Sequence, residues 1–144
     1  MTDTSPATAP TSASLASDLS VALRYDDADA AVEFLRTALG FRELLVHRDD
    51  AGTIDHAELA FGRSVVQLSA RPPDAAPSFF DLGPVCLYLV TDDPDRVHAQ
   101  ALAAGADEVM APTDQSYGSR EAAVRDPEGN VWCYGTYRPG TSAD

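Results

Sequence analysis

The sequence predicts an α+β protein of two βαβββ modules whose curved mixed sheets enclose a cleft. Three observations predict it. Several runs alternate apolar and polar residues with the period of a strand, two others carry apolar residues at helical spacing, and the order strand, helix, three strands occurs twice. The second copy follows the first by about 66 residues, Asp26 returning as Asp92. Neither copy can bury its sheet alone, so the two must pack together or on a partner chain.

Each element has its own justification. Residues 1–17 are rich in Ser, Thr, Ala and Pro without periodicity and are expected to be a disordered tail, as is the end from 140 to 144. The single domain then spans 18–139, with module one at 18–70, a connector at 71–84 and module two at 85–139. "LSVALRY" alternates as a strand. "DDADAAVEFLRTALG" has acidic capping residues, an apolar face through Ala31, Val32, Phe34, Leu35, Ala38 and Leu39, and a stop at Gly40. "FRELLVHR", "IDHAELAF" and "SVVQLSA" are the next three strands, separated by the turns "DDAGT" and Gly62-Arg63. After the proline-rich connector, "VCLYLVT" is a strand and "DDPDRVHAQALAAG" a helix with the same acidic start and glycine stop. "DEVMAPT", "SREAAVRD" and "NVWCYGTY" complete the second module, with a tight turn at Asp126-Pro127-Glu128-Gly129-Asn130 before the last strand.

Composition narrows the function. The chain has 144 residues, the size of one domain with a sizeable core. Its net charge of −13 repels nucleic acid and anionic lipid, so neither is an expected partner. The two cysteines, Cys86 and Cys133, cannot make a disulfide framework of the secreted kind. No basic leader followed by an apolar run and no membrane-spanning stretch is present, and a cytoplasmic protein is expected.

The paired modules, the "DDxD" helix starts and the "DPxGN" turn together resemble the vicinal oxygen chelate superfamily, which includes glyoxalase I, bleomycin-resistance proteins and extradiol dioxygenases. The resemblance covers roughly 19–138 and is closest to small stand-alone glyoxalase-like members. It implies a homodimer and, in the metal-dependent members, four inward positions on the first and last strands of each module that carry His, Gln or Glu. Here these positions fall on Ser20, Gln67, Cys86 and Cys133. A divalent metal acting as a Lewis acid wants carboxylate or imidazole ligands, and this set has neither. Two thiolates with Gln67 and a water could hold zinc. Small, commonly buried cysteines lining a cavity are the preferred reading. No cofactor is expected, and zinc, nickel, manganese or iron is disfavoured.

The remaining candidates follow from strand parity. In "IDHAELAF", His56 and Glu58 share one face; towards the cleft they would form a general base and its orienter, and outwards a wet polar pair. Arg24 shares parity with Ser20 and is either a carboxylate or enolate receptor at the cleft mouth or a salt-bridge partner of Asp26. Tyr117 is a loop residue that with Phe79 and Phe80 would make an aromatic lid. His47 is expected at the surface, His98 to be solvated or packed, Arg125 to be ion-paired locally, and Trp132 and Tyr134 to pack under the helices. The expected function is the binding or sequestration of a small organic ligand, cationic or aromatic, in the inter-module cleft. The alternative is a lyase, isomerase or dioxygenase-like enzyme using an unusual Cys/Gln metal site or His56 and Glu58.

Overall fold

The computed structural model describes residues 19–74 and 83–140. The expected tail at 1–17, the lid residues Phe79 and Phe80 and positions 141–144 lie outside the described residues. Module one contributes β1 (Val21–Tyr25), α1 (Ala28–Thr37), β2 (Arg42–Arg48), β3 (Ile54–Phe61) and β4 (Ser64–Ala70). Module two contributes β5 (Cys86–Val90), α2 (Pro94–Ala103), β6 (Asp107–Asp114), β7 (Arg120–Arg125) and β8 (Val131–Gly135). The two sheets have strand orders β1-β4-β3-β2 and β5-β8-β7-β6. In each, the first and last strands of the module pair in parallel and the other neighbours are antiparallel. The fold is therefore α+β with two mixed sheets, and the sheets do not close into one barrel.

The repeat is visible in the capping chemistry. Asp27 caps α1 by accepting from the Ala30 amide, and Asp93 caps α2 by accepting from the Arg96 amide, the same three-residue reach. Past the helix ends, Gly40 and Gly105 adopt φ of 76° and 93°, a left-handed conformation that glycine enters without steric penalty.

One face of each sheet is buried, and the two buried faces share one core. Leu23, Leu35, Leu59 and Leu68 of module one pack in the same cluster as Leu89, Val124, Trp132 and Tyr134 of module two. Phe41 joins them, with its ring 5.2 Å from Phe61 and 5.6 Å edge-on to Trp132. Trp132 and Tyr134 thus lie inward, as their parity predicts. His98 is buried as well, between the Tyr134 hydroxyl at 2.6 Å and Glu108 at 2.7 Å. His47 is exposed beside Asp55. Arg125 departs from expectation: it is exposed and has no ion-pair partner among the described residues, because the local acid Asp126 is turned inward.

That inward turn makes the Asp126-to-Asn130 segment more than a hairpin connection. Asp126 is buried and accepts from the Tyr25 hydroxyl at 2.7 Å, across the module boundary. It also accepts from the Glu128 and Asn130 amides, the Asn130 side chain and Trp132 Nε1. Glu128 reaches the start of α1, where its two oxygens accept from the Asp26 and Asp27 amides at 2.7 and 2.9 Å. A carboxylate there satisfies orphan donors and complements the helix dipole. The last turn of module two therefore latches onto the first strand and helix of module one. Burial and the neighbouring Asp126 carboxylate hold the Tyr25 phenol far above its ordinary ionisation range.

Candidate functional site

The faces turned away from the helices carry the polar side chains singled out in the sequence. On β1, Ala22 and Arg24 point opposite to the buried Leu23 and Tyr25. Ala22 stands beside Gln67 in the parallel pair, and Glu58 stands beside Gln67 in the antiparallel pair. Register therefore places Arg24, His56, Glu58 and Gln67 on one open face. His56 Nε2 lies 2.7 Å from a Glu58 oxygen, with both side chains part-exposed. Arg24, His56, Gln67 and Ser69 line a cavity of about 180 Å³ there. Asp26 is ion-paired with Arg71. Ser20 stands at the edge, its hydroxyl donating to the Val65 carbonyl at 2.6 Å.

The open face of module two is different. Tyr88 stands beside Cys133 and Cys86 beside Val131, so both thiols face the same way on neighbouring strands. Cys86 is exposed and Cys133 half-buried. Burial, then the Glu121 carboxylate, then Cys86 push the Cys133 thiol up to about 11. A raised thiol is neutral at pH 7 and ionises only as pH climbs, so Cys133 is expected to resist alkylation at neutrality. In a Cys86→Ser chain, iodoacetamide labelling of Cys133 should rise with pH to a midpoint well above the ordinary 9.0; a midpoint at 9.0 would remove the burial argument.

Sequence reasoning missed Glu121 and Tyr88. Glu121 is buried on β7 opposite Gly135, and accepts from the Tyr117 hydroxyl at 2.6 Å. A Cβ on Gly135 would fall 2.5 Å from Glu121 Cγ and 2.8 Å from the Tyr88 hydroxyl, so the crowding requires glycine. The repeat held the signal. His56 stands two residues before Glu58, which faces Gln67, and Glu121 stands two residues before Ala123, which faces Cys133. Glu121 is thus the counterpart of His56 and shares its outlook. Tyr117 is exposed, and its bond to Glu121 raises its own ionisation to about 12.

Between the modules runs a groove of about 1040 Å³, lined by Ser20, Phe61, Val66, Cys86, Leu87 and Trp132 among others. Ser20 and Cys86 both line it, whereas Gln67 lines the smaller cavity and Cys133 stands beside Tyr88 on the open face of module two. The metal positions implied by the resemblance do not make a donor set here. Ser20 spends its proton on a backbone carbonyl, none of the four positions offers a carboxylate or an imidazole, and no three His, Cys, Asp or Glu side chains converge among the described residues. A divalent ion wants charged or imidazole donors, so these residues do not fit one.

Comparison with known proteins places this geometry. Residues 19–134 match the family model described as Glyoxalase/Bleomycin resistance protein/Dioxygenase superfamily. The crystal structure of TioX from Micromonospora sp. ML1 is 32% identical, superposes with a TM-score of 0.73, and covers 85% of this chain and 100% of its own. Lactoylglutathione lyase from Agrobacterium tumefaciens shares the fold at 22% identity and a TM-score of 0.63, covering 83% of this chain and 92% of its own. Uncharacterized protein Mb0911c of Mycobacterium bovis is 33% identical over 123 residues, which is 81% of each chain.

Proposed function

Because this chain belongs to the Glyoxalase/Bleomycin resistance protein/Dioxygenase superfamily, we propose that it binds or sequesters a small organic ligand in the groove between its modules, without a metal. The single observation that carries this reading is the groove itself, about 1040 Å³ with Phe61, Val66, Leu87 and Trp132 along it. A mostly apolar concavity with a few convergent polar groups is the usual form of a small-molecule site. The polar groups here are the side chains of Ser20, Cys86 and Tyr88 within the groove, with Arg24 and Gln67 on the adjoining face of module one. Cys133 lines the open face of module two, and Tyr117 lies over that face from its loop. The unit of function is a homodimer, in which a second copy covers the open faces that one chain leaves exposed.

The test is a titration of the full chain with 1-naphthalenemethanol, followed by amide and indole NMR shifts. Saturable shifts at Val66, Leu87 and the Trp132 indole, unaltered by chelator or by added zinc and nickel, are expected. Shifts that need the metal, or no saturable shift at all, would overturn the reading. Gel filtration at micromolar concentration should report two chains.

A second reading rests on the His56–Glu58 contact of 2.7 Å beside Arg24 and Gln67. A carboxylate so placed orients the imidazole as a general base, and Arg24 can receive an enolate oxygen. This would make the chain a lyase or isomerase. Turnover of a 1,2-dicarbonyl–thiol adduct that disappears in His56→Ala is its signature.

A further inference from the structure

The described residues bury two carboxylates, and the two are satisfied very differently. Asp126 accepts five hydrogen bonds, from Tyr25, Glu128, Trp132 and twice from Asn130. Glu121 is 8% exposed and accepts one, from Tyr117. A carboxylate has about four acceptor sites, and a buried charge is ordinarily paired or fully hydrogen-bonded. Glu121 has no ion-pair partner among the described residues; its neighbour Arg120 instead holds Asp95 and Asp114. Its second oxygen is therefore available on the open face of module two.

Three tyrosines stand near this carboxylate. The Tyr88 hydroxyl and Glu121 Cγ crowd together over Gly135. Tyr88 donates to the Tyr137 carbonyl at 2.8 Å, and the Tyr137 amide donates to Ser119 Oγ at 3.1 Å, which fixes the segment after β8 beside the carboxylate. The Tyr117 and Tyr137 rings stand edge to face, 6.4 Å apart at 80°. A carboxylate with open acceptor capacity beside phenol rings matches an alkylammonium group, whose N–H bonds go to the anion and whose charge rests against π-faces.

We propose that Glu121, framed by Tyr88, Tyr117 and Tyr137, is a subsite for a protonated amine on the organic ligand. The proposal rests on the ligand-binding reading above and assigns one end of the ligand its chemistry. The chain's net charge of −13 draws such cations towards it.

The test compares 1-naphthalenemethylamine with 1-naphthalenemethanol, which share a ring and differ in the charged donor. On the wild-type chain the amine should bind about tenfold or more tightly, the usual advantage of a charge-assisted hydrogen bond, and should shift the Glu121 and Gly135 amides. Glu121→Gln should erase that advantage, so that amine and alcohol bind the variant about equally. Tyr137→Ala removes a half-exposed ring outside the core, and should narrow the amine's advantage over the alcohol about threefold. Equal affinity of amine and alcohol in wild type would overturn the subsite while leaving the groove as a ligand site. A preference that survives Glu121→Gln would overturn it too, tracing the preference to general acidity. Failure of both probes to bind would overturn the groove reading and the subsite with it.

Discussion

Asp126→Ala is expected to destabilise the chain by about 3–5 kcal/mol, since each buried donor left without a partner costs about 1–3 kcal/mol and water relieves only some of them. Two of the stranded donors, the Tyr25 hydroxyl and Trp132 Nε1, belong to almost fully buried side chains. The remaining three hold the turn in shape, and the turn carries Glu128 to the start of α1. One substitution thus loosens the turn, the cap on α1 and the tie between β1 and module two. Asp126→Asn should fall between wild type and alanine, because its amide keeps one acceptor but turns a donor towards other donors. Urea unfolding read by far-UV circular dichroism gives the answer. A loss under about 1 kcal/mol in the alanine variant, the scale of one ordinary hydrogen bond, would mean that core packing alone joins the modules.

Trp132→Ala should cost a similar amount, about 3–5 kcal/mol, the range for deleting a buried aromatic side chain. Trp132 is fully buried in the core shared by both modules and meets Phe41 edge-on. Its removal opens a cavity at the module junction and along one wall of the groove. Trp132→Phe keeps most of the apolar volume but loses the Nε1 donor to Asp126, and should cost about 1–1.5 kcal/mol from that bond. Because Trp132 and Asp126 touch, the double variant should be less harmful than the sum of the single ones, by about 0.5–3 kcal/mol. Strict additivity in denaturant unfolding would mean that the indole bond contributes nothing to stability.

The candidate face was legible in part. Period-two alternation put Trp132 and Tyr134 on the face that packs under the helices and Cys133 on the opposite one, because successive side chains on a strand point to opposite faces. The same rule paired His56 with Glu58 but left their direction open. Only the register of β3 against β4, which sets Glu58 beside Gln67, gives that face a neighbour and hence a direction. Glu121 was hidden for another reason. In "SREAAVRD" it reads as a polar residue of an ordinary amphipathic strand. Its burial comes from Tyr117 above it and from the missing side chain of Gly135 beside it.

The sequence alone determined the order of the elements, their limits to within a few residues, the two capped helices and the repeat. These are local properties, set by alternation, capping and glycine within a few residues of each position. The tertiary structure decided which faces stay open, how the two sheets share one core without closing, and that the Asp126-to-Asn130 turn caps the helix of the other module. The last of these depends on atoms a hundred or so residues apart, such as the Tyr25 hydroxyl and the Asp126 carboxylate, separated by 101 positions. Burial makes such a distant contact stronger than any local preference, and no pattern within a single segment records it.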